Sequence, residues 1–223
     1  VVTAHYGVEG DGFYGFPLSE WLPYSVTRTW HVQMGLFWIA TAWLAAGLFI
    51  GPLVSGVEPK GQRLGVNVLF GALLLVVVGS LTGELLSIHN KLTDTVSFYL
   101  GHQGYEYVDL GRVWQIALSV GLLLWLFLML RVLRPALKKT GDTKQLVALL
   151  AVASGAIALF YGAGLTWGHH SHLSMVEYWR WWVVHLWVEG FFEVFATTVI
   201  AFTFMRLNLI RPGIAASAAL LSA

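Results

Sequence analysis

The sequence predicts an all-α, polytopic transmembrane helix bundle, with five full spans and the start of a sixth. Three observations carry that expectation. Of 223 residues, 57% are hydrophobic and 11% charged, whereas soluble domains carry about 25% charged residues. So little polar surface cannot cover a globule, and lipid must cover it instead. The mean hydropathy is +0.69, and the apolar residues gather into runs of spanning length, roughly 20 residues each. Basic residues, finally, alternate in density from one connecting loop to the next.

Taken in order, residues 1–28 are rich in glycine and aromatics, include Trp21-Leu22-Pro23-Tyr24, and are expected to form an interfacial segment. The spans are expected at Trp30 to Val54, Gly65 to Ser87, Val113 to Leu133, Gln145 to Trp167 and Tyr178 to Leu207, with a sixth apolar run from Ile214. Gly51-Pro52, Pro59, Arg134-Pro135 and Arg211-Pro212 punctuate the connections. Residues 29–223 thus form one transmembrane part. The chain opens at Val1 without an initiator Met or a signal-peptide pattern and ends within an apolar run, so it reads as part of a longer protein.

Orientation follows from the basic residues. Lys60, Arg63, Arg131, Arg134, Lys138, Lys139, Lys144, Arg206 and Arg211 make nine of the thirteen, all in alternate loops. The other loops hold Arg28, Lys91, Arg112 and Arg180. The N-terminal segment, the loop from Lys91 to Arg112 and the loop from Gly168 to Glu177 are therefore expected outside. Tyr178, Trp179, Trp181 and Trp182 mark the outer end of the fifth span as a headgroup-level belt. A net charge of +1 argues against nucleic acid as a partner, which needs a clustered excess of Lys and Arg. Cysteine is absent, which excludes disulfides and thiolate metal sites and leaves His and carboxylates as ligands.

Ionisable groups inside a span are costly and mark function by default. The fifth span carries His185, Glu189 and Glu193, spaced i, i+4 and i+8 on one helical stripe. At ~1.5 Å per residue from Tyr178, His185 lies about 10 Å deep and Glu189 near mid-bilayer. An imidazole and a carboxylate one turn apart can share a metal ion, and the mixed donor set suits iron or zinc. A hydrogen-bonded pair between helices, or a proton relay, fits the same spacing.

Near the outer end of the first span, His31 follows Arg28 by one turn. It reads either as an axial haem ligand, with Arg28 meeting a propionate, or as an interfacial histidine among headgroups. In the run Gly101 to Asp109, Glu106 and Asp109 stand three residues apart and could hold a hard cation such as calcium, or simply cap the next helix as a solvated loop. His169, His170 and His172 cluster in a short loop with no carboxylate beside them. Glu84 and His89 read as a local polar pair with its heads toward the interface.

The run Tyr178-Trp179-Arg180-Trp181-Trp182-Val183-Val184-His185-Leu186-Trp187-Val188-Glu189-Gly190 resembles the signature of the catalytic subunit of bacterial nitric oxide reductases, a branch of the haem-copper oxidase superfamily. Arg28-Thr29-Trp30-His31, Phe37 to Leu44 and the Gly101 to Arg112 loop resemble the same family in the same order. The resemblance implies a haem-copper oxidase-like bundle in the bacterial cytoplasmic membrane. His185 and Glu189 match ligands of a non-haem iron, and Glu193 an acid near that centre suited to proton delivery. His31 matches an axial ligand of a low-spin haem b, and Glu106 a residue that helps hold a calcium. His5, Glu9 and Phe13 match the quinol-binding segment of the quinol-dependent type. A tandem His-His pair with the remaining iron ligands, and the ligand of a high-spin haem b, are missing from this chain. His169-His170 is a poor stand-in, because it precedes the signature and lies in a loop.

The expected function is reduction of nitric oxide to nitrous oxide with electrons from quinol, this chain supplying part of the site beside the remainder of the core. The cytochrome c-dependent type is the nearest alternative, and the N-terminal segment argues against it. A proton-coupled transporter using His185, Glu189 and Glu193 as a relay is the alternative from another class. A purely structural membrane protein is disfavoured by the desolvation cost of so many polar groups within spans.

Overall fold

A computed structural model of the chain describes residues 15–104, 109–140 and 143–222. The described residues are helical, without β-strands; an isolated antiparallel bridge pairs His102 with Leu110. The helices are α1 (Leu18–Trp21), α2 (Tyr24–Ser55), α3 (Gln62–Ile88), α4 (Asp94–Leu100), α5 (Arg112–Leu137), α6 (Lys144–Phe160), α7 (Leu173–Trp182), α8 (Glu193–Arg206) and α9 (Pro212–Leu221). A 3₁₀ turn, Tyr161–Leu165, extends α6, and a π-helical segment, Val183–Phe192, joins α7 to α8.

Five of these stretches are long and apolar enough to cross a membrane: α2, α3, α5, α6 with its 3₁₀ turn, and α7 through α8. They coincide with the five expected spans. α2 begins at Tyr24, earlier than expected, so the end of the proposed interfacial segment is already helical. Pro52 and Pro135 lie inside α2 and α5 rather than ending them. Each falls in the last turns, where the missing N–H costs one i−4 bond and little else. α3 and α8 stop at Asn90 and Asn208, both left-handed (φ 54° and 58°). The next residue's N–H then closes back, Lys91 onto the Leu86 carbonyl and Leu209 onto that of Phe204.

The chain divides into two compact units. The first comprises residues 1–41 and 74–116. Here Trp30 Nε1 donates to the Leu81 carbonyl (3.1 Å) and Gln33 Nε2 to Glu84 Oε1, joining α2 to α3. The turn after α4 packs on α3 at Gly83, where a Cβ would collide with the Leu100 carbonyl oxygen. The hydroxyls of Ser87 and Ser97 meet beside it, and Trp114 Nε1 donates to that Leu100 carbonyl at 2.7 Å.

The second unit comprises residues 42–73 and 117–223. Trp125 is fully buried, donates from Nε1 to the Leu44 carbonyl (3.1 Å), and meets Phe195 edge-on at 5.6 Å between centroids. Leu128, Met129 and Leu133 are buried with it on α5. α9 packs through Ala215, Ala216 and Ala219 onto Leu146 and Ala201, small side chains that let helices approach closely. Large apolar side chains such as Phe49, Leu64, Phe70 and Phe127 stay exposed, as expected where lipid is the solvent.

Candidate metal centre

α7 starts on a capping histidine: His172 Nδ1 accepts from the Ser174 N–H at 3.2 Å. That gives one residue of the histidine cluster a structural role, while His169 and His170 stack edge to face at 4.9 Å in the loop before it. Within α7, Glu177 is held by Arg180 at 2.5 Å.

Beyond Trp182 the backbone widens into the π-helix. This is a correction to the regular α-helix expected from sequence. π-helices are rare and mostly single-turn bulges, frequent at functional sites; this one runs for ten residues. Packing behind the segment holds it there. Trp187 Nε1 donates to the Ile157 carbonyl of α6 at 2.6 Å, and its ring touches Tyr161 and Phe192, each at 5.0 Å. Phe160 fills the adjoining space between Trp182 (4.9 Å) and Phe191 (5.0 Å). Gly190 suits the tight backbone, because a Cβ there would lie 3.1 Å from the His185 carbonyl oxygen.

The opposite side of the segment carries Trp181, His185, Glu189 and Glu193, all exposed. The expected stripe therefore survives the change of helix type. The His185 ring stacks on Trp181 (4.9 Å, 22° between planes). Its Nδ1 lies 2.6 Å from Glu189 Oε2, and each side chain is 57% exposed. One nitrogen and one carboxylate oxygen thus converge, the donor set that a non-haem iron or zinc ion accepts. The fit is partial, since no group of three or more potential His, Cys, Asp or Glu ligands occurs among the described residues. Without an ion, the same contact is a hydrogen bond between the imidazole and the carboxyl group.

His31 lies in the first unit, exposed on α2 one turn beyond the half-buried Arg28. The same face is open at Gly35, where a Cβ would meet nothing within 4 Å. An accessible imidazole beside an unobstructed stretch of helix fits an axial haem ligand. His5, Glu9, Phe13 and Glu106 lie outside the described residues.

Glu84 and His89 do not pair, contrary to the expectation from sequence. His89 Nε2 meets the Trp21 carbonyl at 3.0 Å, whereas Glu84 is completely buried and bonds to Gln33. Glu84 is thus an interhelical group rather than an interfacial one. The signal for it in the sequence was the matching depth of Gln33 and Glu84 near the same ends of consecutive spans. In the α4–α5 loop, His102 Nδ1 accepts the Gly104 N–H at 2.9 Å, and burial lowers its pKa below the usual histidine value.

Five apolar stretches of spanning length and no β-strand among the described residues define the class as a multi-pass helical membrane protein. The family model for cytochrome c and quinol oxidase polypeptide I matches residues 4–223, and the chain belongs to that family. It is also similar to a nitric oxide reductase subunit of Stutzerimonas stutzeri, with 25% identity over 198 residues, 88% of this chain and 40% of that protein. The chain thus spans well under two thirds of the length of the curated relative it matches.

Proposed function

We propose that the chain forms part of the catalytic core of a quinol-dependent nitric oxide reductase, embedded in the bacterial cytoplasmic membrane with residues 1–28 on the outer side and 29–223 as its transmembrane part. The observation that carries the reading is the convergence of His185 Nδ1 and Glu189 Oε2 at 2.6 Å on the exposed stripe. Family membership and the similarity to a nitric oxide reductase subunit support it.

The overall reaction takes two NO, two electrons and two protons to N2O and water. His185 and Glu189 would hold a non-haem iron, and His31 a low-spin haem b with Arg28 beside its propionates. When bound, these groups supply electron transfer and a metal site for NO. The chain's own residues do the rest. Glu189 would supply a carboxylate ligand to the metal, where low dielectric makes its charge count. Trp181 holds the His185 ring plane. Glu193, further along the stripe, would deliver protons to the centre. Glu106 would help hold calcium, and His5, Glu9 and Phe13 would bind the quinol head group. The other iron ligands and the ligand of a high-spin haem b would come from the rest of the core.

Replacing Glu189 by Ala in the full-length protein is expected to abolish NO consumption and lower non-haem iron content. Normal turnover with an intact iron centre would remove the assignment. A second reading is favoured by the similar protein being one subunit of its reductase, which leaves room for a separate electron-donating chain. The electron donor is then a cytochrome c. Reduction kinetics with quinol against reduced cytochrome c separate the two.

A further inference from the structure

α2 and α3 are tied by two hydrogen bonds one turn apart. Trp30 Nε1 donates to the Leu81 carbonyl at 3.1 Å, and Gln33 Nε2 donates to Glu84 Oε1. Residues 30 and 33 form one ridge of α2, and residues 81 and 84 one ridge of α3, each pair separated by i, i+3. His31 lies about 100° around the helix from Trp30 and about 200° back from Gln33. It therefore projects from the face turned away from α3, in agreement with its exposure.

Apolar contacts alone would hold these helices together but would let α2 rotate, because packing against lipid and packing against another apolar helix differ little. Two directional bonds on one ridge remove that freedom. Glu84 is completely buried, and its Oε2 has no hydrogen-bond partner among the described residues. A carboxyl group in that setting is poor glue, since its desolvation offsets much of what it gains. The best-attested use of such a buried polar group is to fix register.

We propose that Trp30, Gln33 and Glu84 form a register lock that aims His31, making them positioning residues for the low-spin haem. The inference rests on His31 being the axial ligand. The test uses electron paramagnetic resonance of the ferric low-spin haem in the purified full-length protein. Glu84→Gln keeps an acceptor for the Gln33 amide and is expected to keep the wild-type g-values. Glu84→Leu and Gln33→Leu remove the bond and are expected to shift or broaden them in folded, haem-loaded protein. Wild-type g-values in either leucine variant would overturn the lock. Should Glu84→Leu not fold, Gln33→Leu decides alone, because it adds no charge and nearly conserves volume. His31→Ala separates the premise from the inference: loss of the low-spin signal supports the ligand assignment, and its persistence removes that assignment and the lock's purpose with it.

Discussion

Trp187 and Ile157 are joined by a 2.6 Å hydrogen bond from the indole N–H to a backbone carbonyl thirty positions earlier in the chain. The bond ties the π-helical segment to α6 from behind while His185 and Glu189 face the other way. An indole is large enough to reach across and carries a single donor at its far edge, so it sets both spacing and rotation of the segment.

Trp187→Phe is therefore expected to keep the aromatic packing against Tyr161 and Phe192 and lose the bond. Interhelical hydrogen bonds in bilayers average about 0.6 kcal/mol, and an orphaned carbonyl costs about 1–3 kcal/mol. The loss of stability on thermal unfolding should fall within that modest range, with faster amide exchange confined to residues 183–192. Unchanged exchange there would show that the π-helix does not depend on Trp187.

Gly190→Ala bears on the backbone itself. Its Cβ would approach the His185 carbonyl oxygen to 3.1 Å, so the carbonyl must yield. Alanine also favours the α-helix over glycine by about 1 kcal/mol. Both effects push the segment out of its π register. On the proposed iron assignment, iron content of the purified full-length protein should drop, with affinity weakened on the order of tenfold as for other changes that disorient ligands. Wild-type iron loading in this variant would show that the proposed iron site does not depend on the π-helix.

Gly83→Ala probes the α4–α5 turn. The added methyl would run into the Leu100 carbonyl, which also accepts the Trp114 indole N–H. Because the obstacle is backbone, the turn must lift from α3, at a cost of about 1–3 kcal/mol. The expected readout is proteolysis within residues 101–111 at protease concentrations that spare the parent. Equal resistance would mean that α3 and the turn separate at little cost.

The same loop should respond to pH through His102. Its folded pKa is lowered by burial, so the unfolded state binds the proton more readily. The stability contributed by the neutral ring is present above the unfolded value, about 6.5, and is lost as pH falls through the lower folded value. Protonation also removes the lone pair that accepts the Gly104 N–H. Amide exchange at Gly104 should rise on acidification from about pH 7.5 to 5, beyond the change in intrinsic rate. His102→Phe should lack that excess; an identical profile in the variant would place its origin elsewhere.

Local sequence determined the spans and the polar stripe of the fifth. A membrane helix needs an uninterrupted apolar run of a certain length, so composition alone placed α2, α3, α5, α6 and the α7–α8 stretch. His185, Glu189 and Glu193 stood out because nothing in a lipid-facing helix calls for such residues, and their common face follows from spacing within one element. Tertiary structure decided what depends on distant partners. Gln33 and Glu84 stand at matching depth in consecutive spans, but only the tertiary structure brings them together across fifty-one positions and buries the carboxyl. Likewise Val183–Phe192 carries no local mark of a π-helix; its wider turn is chosen by Trp187 on Ile157 and Phe160 between Trp182 and Phe191. Hydropathy and periodicity are properties of one helix, whereas register, burial and helix type are settled by contacts between helices.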